Sequence, residues 1–366
     1  MTVLLFVLIL GALVFVHELG HFLAARRSGV RVDEFGFGFP PQLFGRRRGE
    51  TLYSLNLIPF GGFVRLYGEQ STDQADPGSF QAISLSRKIF VMAAGVLMNY
   101  GLAWILLTGV LAAGVTVEPS TVKIDSGATI TNQSVVATVT AHGAAAKAGL
   151  QQGDRVSEIN GQKFTSTEQL AAFARQNQFP DLVVTVQRDG QEQRITIAPN
   201  DVTDLAAPHY EFGITEIGTL RYPWYSAPWA GLRSTVSLSW QSIAGFGQVI
   251  RQLVQSGQLS EDVAGPVGIA VLTGEVSRLG IISVLQFVAL LSISLAVINF
   301  LPIPALDGGR AFLLIIQKIV RRTINPRIEN YIHASGFYLL LLMILLISVR
   351  DVQRFDIVNR FLSLFR

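Results

Sequence analysis

The chain has 366 residues, is 49% hydrophobic and only 15% charged, and its mean hydropathy of +0.41 is too high for an ordinary soluble domain. Cysteine is absent, which excludes disulfides and thiolate metal ligands and leaves His, Asp and Glu as the strong metal-binding side chains. The net charge of +3 does not point to nucleic acid, because Arg and Lys gather at the ends of apolar runs, where they report topology.

Four apolar runs are long enough to cross a bilayer: Val3 to Ala25, Ile89 to about Val117, Ile281 to Leu301 and Tyr331 to Val349. The first has no basic stretch ahead of it and no small-residue cleavage site after it, so a retained helix is expected rather than a cleaved signal. Basic clusters at Arg26, Arg27, Arg31 and Arg46 to Arg48, at Arg87 and Lys88, and at Lys318, Arg321, Arg322 and Arg327 all fall on one side if four helices alternate. The positive-inside rule makes that side cytoplasmic and puts the N-terminus, the soluble middle of the chain and the C-terminal tail outside. The tail's Arg350, Arg354, Arg360 and Arg366 run against this, offset by Asp351 and Asp356.

Between the first two runs, Glu34 to Pro41, Thr51 to Leu57 and Phe63 to Tyr67 alternate and are punctuated by Gly and Pro, the pattern of short strands. Such hairpins either dip into the bilayer under a cover of protein or rest on its cytoplasmic surface, and periodicity does not choose between them. The stretch from about 119 to 222 reads as a water-soluble module. After it, Trp229, Leu232, Val236, Trp240, Ile243, Phe246 and Ile250 recur at helical spacing. With three of the four tryptophans between 224 and 240, that helix is expected on the outer membrane surface, with packing on the soluble module as the alternative.

The strongest chemical signal is His17-Glu-Leu-Gly-His21 inside the first run. Residues four apart share a helix face, so both imidazoles can bind one cation. Glu18 can reach the open position, where a carboxylate takes the proton of a water acidified by the cation to a pKa of roughly 7 as that water attacks a peptide carbonyl. His17 lies nine residues before Arg26, some 13 Å inside the basic boundary at about 1.5 Å per residue. Ionisable groups at that depth cost roughly 2.5 to 3.5 kcal/mol each, a cost that a bound metal offsets. The bland alternative is a polar cluster packed between helices.

Two histidines leave a catalytic site one ligand short. His142, His209 and His333 read as surface or interface residues. Asp307 follows Pro302 and Pro304, which break the third membrane helix before it resumes at Ala311 to Val320; ligand and helix N-cap are equally compatible with its spacing.

These residues resemble the site-2 proteases, a family of intramembrane zinc metalloproteases, and most closely their bacterial RseP type. The likeness covers nearly the whole chain: His17 to His21, Gly36-Phe-Gly38, Gly95-Val-Leu-Met-Asn99, Gly265-Pro-Val-Gly268, Asn299 to Gly309, and a soluble module similar to a PDZ domain at Gly143 to Leu150, Gly153 to Val156 and Ile159 to Gly161. The resemblance implies an α-helical polytopic membrane protein with membrane-associated β-hairpins and an inserted α+β PDZ domain, divided as 1–117 membrane core, 118–222 PDZ domain, 223–280 extracytoplasmic amphipathic helix and linker, and 281–366 membrane core. It implies zinc on His17, His21 and Asp307, with Glu18 as catalytic base. Substrate contacts are implied at Asn299, Gly36, Gly38 and Asn99.

The implied activity is endoproteolysis of a single-pass membrane protein, such as an anti-sigma factor or a signal-peptide-like substrate, in the bacterial cytoplasmic membrane, with membrane lipid as surroundings and no nucleic acid. One departure is that the chain has room for a single PDZ module where some relatives carry two. Two rival functions are a non-enzymatic membrane PDZ adaptor, against which the intact His17, Glu18, His21 and Asp307 argue, and a metal transporter, which would need further intramembrane carboxylates and histidines.

Overall fold

The computed structural model describes residues 2–69, 76–117, 128–178, 180–188, 190–199, 210–257, 263–322 and 324–355; His209, Asp356, Arg360 and Arg366 lie outside the described residues. The chain forms two compact units, Met1–Val110 with Pro228–Arg366, and Leu111–Ala227.

In the first unit, α1 (Thr2–Arg27) leads into two long bent strands, β1 (Val32–Arg48) and β2 (Thr51–Leu66), rather than separate short ones. Their bends make residues 34–37 of β1 pair on both sides, with 52–55 and with 62–65 of β2. The inner part of this sheet packs Phe35 and Leu66 against Phe22 of α1 and Val91 of α2 (Leu85–Ala113). Its outer part leaves Phe39, Leu43, Phe44, Leu55, Leu57 and Ile58 exposed. Helix α2 stops four residues short of the apolar run because Gly114 turns the chain at φ +109, and Val115–Val117 becomes strand β3.

The second unit is a six-stranded antiparallel sheet in the order β3-β8-β4-β5-β6-β7, formed by β3, β4 (Thr129–Val139), β5 (Arg155–Ile159), β6 (Leu182–Arg188), β7 (Gln191–Ile197) and β8 (Phe212–Arg221). Two helices complete it, α3 (Ala144–Lys147) and α4 (Thr167–Gln176). Ser166 caps α4 by accepting from the Gln169 N–H, and Leu170 and Ala174 enter the core with Ile159, Leu182, Val184 and Ile197. Next to that cap, the Thr167 hydroxyl accepts from the Ile214 N–H at 2.9 Å and donates to the Ile214 carbonyl at 3.0 Å, while Ser166 bridges Thr215. The edge of β8 away from β4 is thus partly covered by β3 and by the start of α4.

Back in the first unit, the remaining helices are α5 (Ala227–Ser256), α6 (Pro266–Arg278), α7 (Ile281–Phe300), α8 (Asp307–Val320) and α9 (Pro326–Arg354). Among the described residues, α1, α2, α7 and α9 are long and apolar enough to cross a membrane. Helix α5 does more than rest on a surface. A Cβ at Gly231 would stand 2.9 Å from the Thr108 backbone nitrogen of α2, and Leu238 and Phe246 pack against Ala103 and Leu107 of α2 and Ala289 and Ile293 of α7. Trp229, Val236 and Trp240 stay exposed. The buried Asp351 of α9 accepts from the N–H groups of Gly265 at 2.9 Å and Gly268 at 2.7 Å, capping α6. Such charge-assisted bonds contribute about 1.5 to 3 kcal/mol each, which ties the far end of the last membrane helix to α6.

Candidate metal centre

Helix α1 carries His17 and His21 on one buried face, and α2 can lie against that face because two glycines meet it. A Cβ on Gly20 would come within 2.4 Å of the Ala94 carbonyl oxygen. One on Gly95 would stand 2.5 Å from His21 Nε2 and 2.8 Å from His17 Nε2. Gly95 therefore keeps open the space the two imidazoles face.

The third group arrives from the far end of the chain. Helix α7 ends at Phe300, the Pro302 to Leu306 segment turns, and α8 starts at Asp307. The turn is tight enough that Cβ atoms on Gly308 and Gly309 would stand 2.4 Å and 2.1 Å from the carbonyl oxygens of Leu301 and Ile303. Leu306 occupies the N-cap position without a side-chain cap bond. Asp307 instead sits in the first turn of α8, where the helix dipole favours an anion, and points its carboxylate at the histidines. Its Oδ2 is 2.9 Å from His17 Nε2 and 3.2 Å from His21 Nε2, and the two Nε2 atoms are 3.2 Å apart. Nitrogen and oxygen ligands about 2.0 to 2.2 Å from a tetrahedral zinc stand roughly 3.3 Å from one another, so this triangle has the size of three zinc ligands.

The surrounding hydrogen bonds fit the same group. His21 Nδ1 lies 2.8 Å from the Val91 carbonyl oxygen, which can only accept, so Nδ1 carries a proton, and in the neutral imidazole that a metal requires Nε2 presents a lone pair to Asp307. Two acceptors then face each other at 3.2 Å, an arrangement that a shared cation resolves. His17 Nδ1 lies 3.3 Å from the Asn99 side-chain amide, and Asn99 Oδ1 is buried without a partner among the described residues. The orientation of an amide is an assignment. Turned over, Asn99 brings its oxygen to His17 Nδ1–H and leaves His17 Nε2 free as a metal donor, the outer-shell arrangement typical of ligating histidines.

Glu18 stands outside the His17, His21 and Asp307 cluster. It is half-buried and faces β2, where a Cβ on Gly62 would be 3.7 Å from Glu18 Cγ. Segment 62–66 of β2 pairs with β1 along one edge and lies beside Glu18.

The other sequence candidates fall as follows. In Gly36 the missing side chain makes room for Phe63 and Ser54, whose atoms would be 2.5 Å and 2.9 Å from a Cβ; Gly38 holds φ +78 with the Ile58 carbonyl oxygen 2.6 Å from the same point. Asn299 is half-buried in the last turn of α7. Asn99 is fully buried against His17. His142 is exposed in the second unit. His333 accepts from the Ala305 N–H at 3.0 Å, so it is an inter-element support near the site. The parts that sequence reasoning missed, Gly95 as spacer and the Val91 carbonyl, act across helices and leave no local pattern.

Residues 5–343 match the model of Peptidase family M50. The chain belongs to that family, the site-2 proteases. Regulator of sigma-W protease RasP of Bacillus subtilis is 30% identical, with 96% of this chain and 98% of that one aligned. Zinc metalloprotease RasP of Geobacillus kaustophilus is 28% identical over 97% of this chain and 98% of its own. This M50 chain is accordingly a membrane protein and a zinc metalloprotease of the site-2 type, and the His-His-Asp cluster fits its metal.

Proposed function

We propose that this M50 protease cuts single-pass membrane proteins within the bilayer, with His17, His21 and Asp307 as zinc ligands and Glu18 as general base. The observation that carries this reading is the meeting of Asp307, at the start of α8, with His17 and His21 on α1, a helix long enough to span a membrane, with Glu18 left beside a strand edge. Zinc, when bound, supplies the Lewis-acid chemistry that acidifies water and polarises a peptide carbonyl. Glu18 takes a proton from the attacking water, whose oxygen bonds to the carbonyl carbon. The C–N bond breaks as Glu18 passes that proton to the leaving amine.

A helical substrate must unwind before its carbonyl is accessible, and its freed backbone groups then need partners. The edge of segment 62–66 beside Glu18 can supply them by strand addition, with Gly36 and Gly38 shaping the sheet behind it and Asn299 holding the substrate from the α7 side. Asn99 serves better as the support of His17 than as a substrate contact. The exposed apolar residues of the outer hairpin support its dipping into lipid.

The second unit reads as a single PDZ-type module outside the cytoplasmic membrane, placed there by the basic clusters of the other side. Because Thr167 and Ser166 already occupy the β8 edge at Ile214 and Thr215, we read the module as a filter of substrate bulk more than as a docking site for extended peptide. A relative is named a regulator of sigma-W protease, which makes an anti-sigma factor or a signal-peptide-like segment a fitting substrate class. The test is a purified reporter with one membrane helix, incubated with the protease in liposomes, and the product masses measured. A cut inside the helix, lost with a zinc chelator and restored with zinc, supports the reading. Cleavage only in the soluble flanks overturns it.

A further inference from the structure

We propose that helix α9 sets the third corner of the metal site, with His333 as a positioning residue that holds the turn from which Asp307 reaches the two histidines. The inference rests on the zinc-site reading above and assigns a residue to it that lies 26 positions beyond Asp307 in sequence.

Asp307 is presented by a turn with little to hold it from within. Helix α7 has ended at Phe300, and Pro302 and Pro304 have no N–H to donate. The internal bonds are Ile303 N–H to the Leu301 carbonyl at 2.7 Å and Leu306 N–H to the Ile303 carbonyl at 3.2 Å. Ala305, two residues before the carboxylate, has φ +76, a left-handed conformation that a residue with a Cβ seldom adopts and that persists where the surroundings impose it. What fixes it from outside the turn is His333, whose Nδ1 accepts the Ala305 N–H at 3.0 Å. One helical turn further on, Gly336 lets α9 close on the same segment: a Cβ there would stand 2.5 Å from Pro304 Cβ and 2.6 Å from the Pro304 carbonyl oxygen. His333 and Gly336 share a face of α9 and grip consecutive residues of the turn.

The bond also fixes the histidine's tautomer. Nδ1 must be the acceptor, so the proton is on Nε2, and Nε2 is buried without a hydrogen-bond partner among the described residues. A buried unpaired N–H lowers stability; an apolar residue at this position would remove that burden but leave the Ala305 N–H without its acceptor, so the two changes offset each other in the metal-free fold. The histidine is thus poorly explained as a stabiliser and well explained as an acceptor for Ala305. The accuracy it contributes matters because metal–ligand distances tolerate only about 0.2 Å of error, and a turn free to relax from φ +76 carries Asp307 with it.

The test is zinc binding by the full-length protein in detergent, stripped of metal and titrated with zinc against a chromophoric chelator, alongside thermal unfolding of the metal-free form. H333N is the conservative variant, because the amide Oδ1 takes the place of Nδ1, whereas the H333Q side chain sets its oxygen one bond further out. H333L should bind zinc at least about 10-fold more weakly, as loss of an outer-shell support does, with metal-free unfolding unchanged. H333N should recover most of the affinity and H333Q little of it. G336A, which pushes the same turn, should weaken zinc in the same way. Wild-type affinity in H333L, or H333N no better than H333Q, would overturn the assignment of His333. Failure of the wild-type protein to bind zinc would overturn the metal-site reading itself and this inference with it.

Discussion

The carboxylate of Asp307 lies 2.9 Å from Nε2 of His17, although the two residues are 290 positions apart. That contact closes the membrane unit, joining its first helix to the helix that resumes after the break at Phe300. Asp307→Ala should lower zinc affinity about 10-fold or more, since it removes a ligand. Stability of the metal-free protein should change little, because the N-cap position of α8 belongs to Leu306 and not to Asp307, and so the roughly 0.5 to 2 kcal/mol of an N-cap is not at stake. Chelator competition and thermal unfolding measure the two separately. Full zinc occupancy in the variant would return Asp307 to a structural role.

Gly95→Ala should be as damaging to the site as loss of a ligand, for a steric reason. Its Cβ would occupy a point 2.5 Å from His21 Nε2 and 2.8 Å from His17 Nε2, where the cation belongs. Elsewhere in a helix the same change gains about 0.5 to 1 kcal/mol. We expect zinc binding to fall by more than tenfold while α2 stays folded by circular dichroism, and a variant that binds zinc normally would show that the cation sits elsewhere.

In the second unit, Asp154 is buried and held by both nitrogens of the Arg188 fork, Nε to Oδ1 at 2.7 Å and an Nη to Oδ2 at 2.6 Å. Burial pushes its carboxyl up, but the bonds from Arg188 and from the Gln151 N–H outweigh burial and hold it below the ordinary carboxylate range. A depressed folded pKa means that Asp154 contributes stability above its unfolded value of about 3.9, lost as pH falls below that. The thermal stability of the module should therefore fall as pH drops below about 4. Asp154→Asn should remove that dependence and cost about 1.5 to 3 kcal/mol at neutral pH. A flat profile in the parent protein would count against the pair.

Removing Thr121 to Pro199, with the ends joined by a flexible linker, should leave zinc content and cleavage of short reporters comparable to the parent. Substrates with bulky outer domains should then be cut more readily, because the barrier and not the chemistry has gone. The measured quantity is the ratio of long-reporter to short-reporter cleavage in both proteins in the same liposomes. If that ratio does not move in a folded, inserted deletion, the module is a spacer or a docking site.

The membrane helices and the histidine pair were legible because each depends on local periodicity: apolar length for α1, α2, α7 and α9, and the four-residue step for His17 and His21. The helix ends were less so. Charged or capped turns extend α9 to Pro326 and Arg354, with Asn325 at its N-cap accepting from the Arg327 N–H, and the apolar Val115-Thr-Val117 continues past α2 as a strand. Spacing left Asp307 evenly divided between cap and ligand, since its meeting with His17 depends on how helices pack. Asn99, Gly95 and His333 were harder still, because what they do is set by neighbours 28 to 82 residues away, and a single sequence has no period at that distance.

Glu18→Gln separates the proposed base from the metal ligands more directly than any other change. The amide keeps the size of the carboxylate and removes its ability to take a proton, while His17, His21 and Asp307 stay in place. Zinc content of the purified variant should match the parent, and cleavage of the single-helix reporter should fall by at least the factor of about 10² to 10⁴ that general-base catalysis supplies. Cleavage near the parental rate at full zinc would contradict Glu18 as the base, and loss of zinc in step with activity would make it a ligand instead.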